Sequence, residues 1–239
     1  MASQTARREP TSVQCAPSLR LNCLVVCLLA LLCFFWLALE TNRGDTNSFD
    51  SRIRAAVHGQ SSLRNTEFMS RATQLGDIVA LSFLSTGVIL GFLFLRLKRA
   101  AALMAANMVG AWLLNDGFKA FFQRVRPEPF FGIPPPGDFS FPSGHSLCSF
   151  CFYGMVTALF VGRIRNRAAR VVIVTAAAAI ILSVGFSRVY LGMHHPSDVL
   201  GAWSLGLFWI SFLLLFDRRE SPRVPDPADI DADPIRSSS

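Results

Sequence analysis

The sequence predicts an all-helical bundle that spans a membrane. Of its 239 residues, 51% are hydrophobic and 16% are charged, and the mean hydropathy is +0.40. Soluble domains usually carry about 25% charged residues. Six nearly uncharged stretches approach the ~20 residues that a helix needs to cross a ~30 Å hydrocarbon core. These stretches are continuously apolar, whereas the strands of a membrane barrel would alternate apolar and polar residues.

The six predicted membrane helices are separated by polar loops. They cover residues 22–39, 78–95, 100–118, 146–162, 171–187 and 199–216. We therefore predict one membrane domain over residues 22–216, whose later part, 100–216, carries the polar motifs described below. Residues 1–21 and 217–239 are predicted to be tails, and the proline, aspartate and serine content of the second tail predicts disorder.

The distribution of basic residues predicts the orientation in the membrane. Fourteen of the 23 Lys and Arg residues lie in the two tails and in the second and fourth loops. Basic residues favour the cytoplasmic side, so both termini are predicted to be cytoplasmic. The net charge of +7 is thereby explained by topology, and a nucleic-acid partner is not predicted.

The first loop, residues 40–77, is too long for a tight connection between helices. Phe68, Ala72 and Leu75 recur within it at helical spacing. We predict a helix here that lies at the membrane interface.

The first polar motif contains Lys119 and Arg126, followed by Pro127. Seven residues make almost two helical turns, so the two cations share one face if the helix continues. Asp116 is interpreted as an intrahelical partner of Lys119, and Arg124 as a surface residue. For this motif alone, cations that extend to the membrane edge are an equally good explanation.

The second motif, Pro142-Ser143-Gly144-His145, directly precedes the fourth membrane helix. Proline and glycine predict a turn, and the first backbone N–H groups of the following helix suit an anion such as phosphate. Ser143 adds a hydroxyl group. The alternative is that Ser143 only caps the helix.

The third motif begins with Ser187-Arg188 and ends with His194, His195 and Asp198 before the sixth membrane helix. A carboxylate four residues after a histidine can hold the ring in one tautomer and leave its other nitrogen free to attack. We interpret His195 as a solvent-facing neighbour. A purely structural His-Pro turn is the alternative.

All three motifs fall on the outer face in the predicted topology. Three cations, two histidines, a serine and a carboxylate can therefore meet in one pocket suited to phosphoryl chemistry. No cluster with metal-ligand spacing occurs on that side, so neither a metal nor another cofactor is predicted. Cys148 and Cys151 have no second Cys/His pair near them, and we interpret them as helix packing.

At these residues the sequence resembles the type 2 phosphatidic acid phosphatase superfamily. Its three signatures are Lys-x6-Arg-Pro, Pro-Ser-Gly-His and Ser-Arg-x5-His-x3-Asp, and all three occur here in order. The resemblance covers roughly residues 78–216. Vanadium-dependent haloperoxidases share this signature, but they are larger, soluble proteins.

The resemblance implies a metal-independent phosphatase. His194 would be the nucleophile that forms a phosphohistidine, Asp198 its orienting partner, and His145 the acid that protonates the leaving group. The phosphoryl oxygens would be held by Lys119, Arg126, Ser143, Gly144 and Arg188.

The substrate implied is a phosphorylated membrane lipid. Candidates are undecaprenyl pyrophosphate, phosphatidic acid, phosphatidylglycerol phosphate and a lipid A phosphate, and the sequence does not choose among them. A bacterial inner membrane with the site on the periplasmic face is predicted, and the oligomeric state is left open. The alternatives are a membrane protein that binds a lipid phosphate without hydrolysing it, and an anion channel.

Overall fold

The computed structural model describes residues 17–132, 134 and 137–216, and all regular secondary structure in these ranges is helical. Its eight helices are α1 (Pro17–Arg43), α2 (Asn47–His58), α3 (Leu63–Gln74), α4 (Ile78–Phe94), α5 (Lys98–Phe122), α6 (Gly144–Val161), α7 (Arg167–Tyr190) and α8 (Pro196–Leu215). The predicted tail 217–239 and most of the tail 1–21 lie outside the described residues.

All six apolar segments predicted from the sequence are helical, as α1 and α4 to α8. Among the described helices, four are long and apolar enough to cross a membrane, namely α1, α6, α7 and α8. Helices α3 and α4 meet the same criterion together, although the chain bends by 43° between them. Helix α5 is long enough at 25 residues, but Asn107, Asn115 and Asp116 make it more polar. Four or five crossings are therefore found by length and composition, and the predicted number of six is not confirmed.

The first loop contains two helices, where the sequence predicts one. Helix α3 contains Phe68 and Ala72 of the predicted periodic segment and ends just before Leu75. Its amino terminus is capped by Ser62, whose hydroxyl accepts the N–H of Asn65 at 3.2 Å. Helix α2 was not predicted from the sequence. It is amphipathic and mostly exposed, but it contains the buried Asp50.

The helices pack as a bundle with two adjoining apolar cores. Helix α1 lies along α8, while α6 contacts α5, α7 and α8. One core joins α4, α5, α6 and α8, and the other joins α1, α5, α6 and α8. Cys148 and Cys151 are buried in these cores, which confirms their interpretation as packing residues.

The packing brings four helix ends together at one end of the bundle. Helices α5 and α7 end there, and α6 and α8 begin there. The backbone N–H of Ser143, just before α6, donates to the carbonyl oxygen of Asp198 in α8 at 3.2 Å. Phe141, fully buried, stacks on Phe34 of α1 with ring centroids 5.7 Å apart. This end of the molecule therefore carries all three polar motifs.

Candidate active site

The three motifs predicted from the sequence converge on His194. The Nε2 atom of His194 lies 3.0 Å from a guanidinium nitrogen of Arg126, so the first and third motifs are in contact. His145, from the second motif, interacts electrostatically with both of these residues and with Lys119 and Arg188. Residues of all three motifs thus lie at this end of the bundle, and the second motif joins the third through the hydrogen bond from the Ser143 N–H to the carbonyl oxygen of Asp198.

His194 lies in the turn between α7 and α8. Gly192 has φ +74°, and a Cβ atom at this position would lie 2.6 Å from the backbone nitrogen of Phe130. Only glycine fits this conformation and this close approach. The turn places His194 where only 1% of its surface is exposed.

The hydrogen bonds of His194 determine its tautomer. A guanidinium group only donates, so Nε2 accepts from Arg126 and carries no proton. The ring proton is therefore on Nδ1, which faces Oδ2 of Asp198 at 3.4 Å. An unprotonated Nε2 is the form that a nucleophilic histidine requires.

The pKa of His194 favours the same form. Burial lowers the pKa of this imidazole to about 4, although the hydrogen bond and charge of Asp198 oppose the shift. The charges of Arg126 and Arg188 contribute to this lowering. His194 is therefore neutral at pH 7, and its Nε2 lone pair accepts the hydrogen bond of Arg126.

Asp198 is fully buried and is held by several donors. Its Oδ2 atom accepts from the hydroxyl of Ser140 at 2.5 Å and from the backbone N–H of His195 at 2.8 Å. Its Oδ1 atom accepts from Arg124 at 2.5 Å. These bonds orient the carboxylate toward His194. Sequence reasoning missed Ser140, because no motif marks it.

Lys119 and Arg126 do not share a helix face. Helix α5 ends at Phe122, and Gln123 adopts a left-handed conformation with φ +46°. Both cations instead contact the carboxylate of Asp138: Lys119 through Nζ, and Arg126 at 2.6 Å. The helix does not continue to Arg126, so the condition for a shared helical face is not met, but the two cations still converge on Asp138.

Asp138 was not predicted from the sequence, and it occupies the position between the two cations. Burial alone would raise the pKa of its carboxyl group, but the hydrogen bonds and charges of Lys119 and Arg126 outweigh burial and lower it. The predicted pairing of Lys119 with Asp116 is replaced by this contact. Asp116 instead accepts a hydrogen bond from Asn115 at 3.0 Å.

Arg124 is not a surface residue, contrary to the prediction. Its side chain is only 11% exposed and pairs with Asp50 at 2.7 Å as well as with Asp198. After Gln123 the chain has no regular secondary structure, and side-chain exposure alternates from residue to residue. Arg124 and Arg126 turn inward, while Val125 is 80% exposed. The Arg-Val-Arg alternation is the sequence signal that marks this arrangement.

Ser143 precedes α6 but does not cap it with its side chain. Its hydroxyl is fully buried and accepts from the hydroxyl of Ser146 at 3.0 Å. No side-chain oxygen of Ser143 takes up the first N–H groups of α6, so the capping alternative is wrong. A Cβ atom on Gly144 would lie 3.2 Å from Oδ1 of Asn115, which makes a small residue favourable here. The amino terminus of α6 can thus face an anion.

Arg188 and His195 complete the set of predicted residues. Arg188 is 7% exposed, donates to the hydroxyl of Thr73 in α3 at 2.8 Å, and has a buried Nε without a hydrogen-bond partner. His195 is not solvent-facing as predicted, since its side chain is 19% exposed and lies 3.9 Å from Asp50. Burial and the charge of Arg124 lower the pKa of His195.

The character of the site is cationic. Within the described ranges, no group of three or more His, Cys, Asp or Glu side chains is arranged to hold a metal ion. Instead, Lys119, Arg126 and Arg188 act electrostatically on His145, and Arg126 also contacts His194. Such a group of donors suits an oxyanion.

Comparison with known proteins agrees with this geometry. Residues 99–221 match the PAP2 superfamily. The chain is also 34% identical over 194 residues to phosphatidylglycerophosphatase B of Bacillus subtilis (strain 168). This match covers 79% of this chain and 93% of the relative. The chain belongs to the PAP2 superfamily. The resemblance predicted from the three motifs is therefore confirmed, and so is a membrane phosphatase with transmembrane helices.

Two further comparisons support the assignment. An undecaprenyl-diphosphatase of Sulfolobus acidocaldarius is 33% identical over 126 residues, which is 51% of this chain and 56% of the relative. The crystal structure of a transmembrane PAP2-type phosphatidylglycerolphosphate phosphatase from Bacillus subtilis superimposes with a TM-score of 0.75 at 31% identity. That match covers 82% of this chain and 98% of the other.

Proposed function

We propose that this protein is an integral membrane lipid phosphatase that hydrolyses a phosphate monoester or a diphosphate on a lipid headgroup. The observation that carries the proposal is the environment of His194. Its Nε2 lone pair lies beside Arg126, and its Nδ1 proton faces the buried carboxylate of Asp198. A neutral, oriented imidazole beside cations is suited to attack phosphorus.

The phosphoryl group is held by the cations around His194 in this proposal. Arg126 and Arg188 offer forked donors, and Lys119 offers a point charge. The unpartnered Nε of Arg188 is a donor available for a phosphoryl oxygen. Ser143 and the backbone N–H of Gly144 complete the set at the amino terminus of α6.

The first chemical step forms a phosphohistidine. Nε2 of His194 attacks phosphorus, and the bond between phosphorus and the leaving oxygen breaks. His145 donates a proton to that oxygen, which leaves as a lipid alcohol, or as a lipid monophosphate when the substrate is a diphosphate. Asp198 holds the Nδ1 proton and stabilises the positive charge that develops on the ring.

The second step regenerates the enzyme. Water attacks phosphorus, His145 accepts a proton from the water, and the phosphorus–nitrogen bond breaks. Inorganic phosphate is released, and the bonding electrons return to Nε2 of His194. No metal ion has a role in either step of the proposal.

The names of the relatives guide the choice of substrate. The relative that matches over 93% of its own length is a phosphatidylglycerophosphatase, so phosphatidylglycerol phosphate is the first lipid to test. Undecaprenyl pyrophosphate follows, since a second relative is an undecaprenyl-diphosphatase. Phosphatidic acid and a lipid A phosphate complete the panel.

The proposal places six crossings in a bacterial inner membrane, within one domain over residues 22–216. Helices α5 to α8 run alternately toward and away from the site, and only residues 95–97 separate α4 from α5. If α5 crosses, then α4 crosses in the opposite direction. With α1 as the first crossing, both termini are cytoplasmic and the site faces the periplasm, in accord with the basic loops.

The test is inorganic phosphate release by the detergent-purified protein over the lipid panel, with EDTA present. His194→Gln is the inactive variant, because a buried histidine replaced by alanine would leave a cavity. His58→Gln is the matched control, since this histidine is exposed on α2. Release that persists in EDTA and in His58→Gln but is lost in His194→Gln supports the proposal. No release from any lipid would favour a protein that binds lipid phosphate without hydrolysing it.

A further inference from the structure

We infer that Asp50 and Arg124 are positioning residues. Through them, helix α2 of the first loop orients the carboxylate of Asp198 and sets the net charge around it. The inference rests on the proposed function, in which Asp198 orients the nucleophile His194. Neither residue belongs to the catalytic or phosphate-binding residues that the three motifs predict. The inference also assigns a role to the first loop, which the sequence leaves open.

Asp50 joins α2 to the start of α8. Its carboxylate is 1% exposed although α2 is mostly exposed. Oδ1 accepts the backbone N–H of Ser197 at 2.9 Å, and Oδ2 accepts the hydroxyl of Ser197 at 2.7 Å. A carboxylate at the amino terminus of a helix is favourably placed relative to the helix dipole. Asp50 therefore holds the turn of α8 that carries Asp198.

Arg124 links Asp50 to Asp198. One guanidinium nitrogen donates to Oδ2 of Asp50 at 2.7 Å, and the other donates to Oδ1 of Asp198 at 2.5 Å. The second nitrogen also donates to the hydroxyl of Ser197 at 2.7 Å. Because Arg124 occupies Oδ1, the Oδ2 atom of Asp198 is the one that faces His194.

The charges of this network explain why two acids share one arginine. Asp50, Arg124 and Asp198 together carry one net negative charge. Without Asp50, Arg124 would neutralise Asp198, and less negative charge would remain to hold the Nδ1 proton of His194. Without Arg124, two buried carboxylates would lie close together with no direct cation between them, which is strongly unfavourable.

Other charged groups face the network from neighbouring elements. His195 lies 3.9 Å from Asp50, and His194 lies 3.4 Å from Asp198. Arg54 of α2 acts on both acids at longer range, while its guanidinium donates to the carbonyl oxygen of Glu128 at 2.7 Å. The direct ion pairs of both acids are thus with Arg124, which makes it the residue to vary.

The test is a double-mutant cycle with Asp50→Asn, Arg124→Gln and the combined variant. The kcat and KM for the lipid substrate are measured together with the inhibition constant of inorganic phosphate. Asp45→Asn is the matched control, because this aspartate is exposed five residues before Asp50. Melting temperature and size-exclusion profile in detergent report the folded state of each variant.

The expected result is a loss in kcat without a loss in binding. Each single variant should lower kcat by about tenfold to a hundredfold, the range typical for outer groups that orient a functional histidine through its hydrogen-bond partner. KM and the phosphate inhibition constant should change less than about twofold, because the phosphate-binding cations are untouched. The combined variant restores the net charge of minus one, so its kcat should exceed that of Arg124→Gln.

Two outcomes would overturn the inference. One is a wild-type kcat in Asp50→Asn, and the other is a combined variant whose kcat equals the product of the two single losses. Either result leaves the proposed function standing when the wild type releases phosphate and His194→Gln does not. If Asp50→Asn does not fold, Arg124→Lys is compared with Arg124→Gln. A higher kcat for lysine supports the inference, since it keeps the charge, and equal losses contradict it.

Discussion

The Nε2 atom of His194 accepts a hydrogen bond from the guanidinium group of Arg126 at 3.0 Å. The same guanidinium donates to the backbone carbonyl of Met193 at 2.9 Å and to the carbonyl of Asp138 at 2.9 Å. Arg126 is therefore held by the turn that carries His194 and by the loop before α6. The proposed nucleophile and a proposed phosphate-binding cation are positioned as one unit.

Arg126→Lys should remove most of the activity. Lysine keeps the charge but cannot reproduce the several directed donors of Arg126. We expect kcat/KM for the lipid substrate to fall by about a hundredfold, comparable to the loss of an oxyanion-stabilising donor. Arg71→Lys is the control, because the Arg71 side chain is 75% exposed in a surface ion pair. A near-normal kcat/KM in Arg126→Lys would place Arg126 outside the phosphate site.

Asp138→Asn should strengthen the binding of inorganic phosphate. The carboxylate of Asp138 contacts Lys119 and Arg126, so a phosphoryl group that binds these cations has to compete with it. Removal of its charge should lower the inhibition constant of phosphate by about threefold to tenfold, as expected for the loss of a partly exposed competing charge. Asp45→Asn should leave this constant unchanged. An increase for Asp138→Asn would instead indicate that Asp138 holds the cations in place.

The imidazole of His194 should remain neutral at pH 6. Its pKa is lowered to about 4 by burial, against a usual value near 6.5. The neutral form is therefore present above about pH 4, and it is lost only as the pH falls through that value. An NMR titration of histidine-labelled protein, with His194→Gln to assign the signal, measures the midpoint. A midpoint near 6.5 would contradict the burial of this ring.

Gly192→Ala should destabilise the turn that carries His194. The substitution combines a positive φ with a Cβ atom 2.6 Å from the backbone of Phe130. We expect a loss of about 1–3 kcal/mol in the free energy of unfolding, together with lower kcat. Gly132→Ala is the matched variant, since it has φ +67° but open space around its Cβ. Thermal melting in detergent compares the two, and equal shifts would show that the close contact has no effect.

The six long apolar helices and the three polar motifs follow from the sequence alone, whereas helix α2 does not. Hydropathy depends only on residues that are neighbours in the sequence, so it can be judged without the fold. All six segments that it marks as apolar are helical. The motif residues were identified from their residue types, their spacing and their resemblance to a family signature, and the fold brings Lys119, His145 and His194 to one end of the bundle. The number of crossings is less well determined, because polar residues such as Asn107 and Asn115 in α5 obscure the hydropathy signal.

Which other charged residues reach the site depends on how the helices pack. Asp50 and Asp138 carry no local signature, and Arg124 is marked only by the Arg-Val-Arg alternation. Each of the three has a charged partner at least 12 residues away in sequence. Gln123 ends α5 in a left-handed conformation, which neither composition nor periodicity indicates. The physical reason is that burial and ion pairing depend on which helix ends pack together. Those contacts form only when all the helices are packed together.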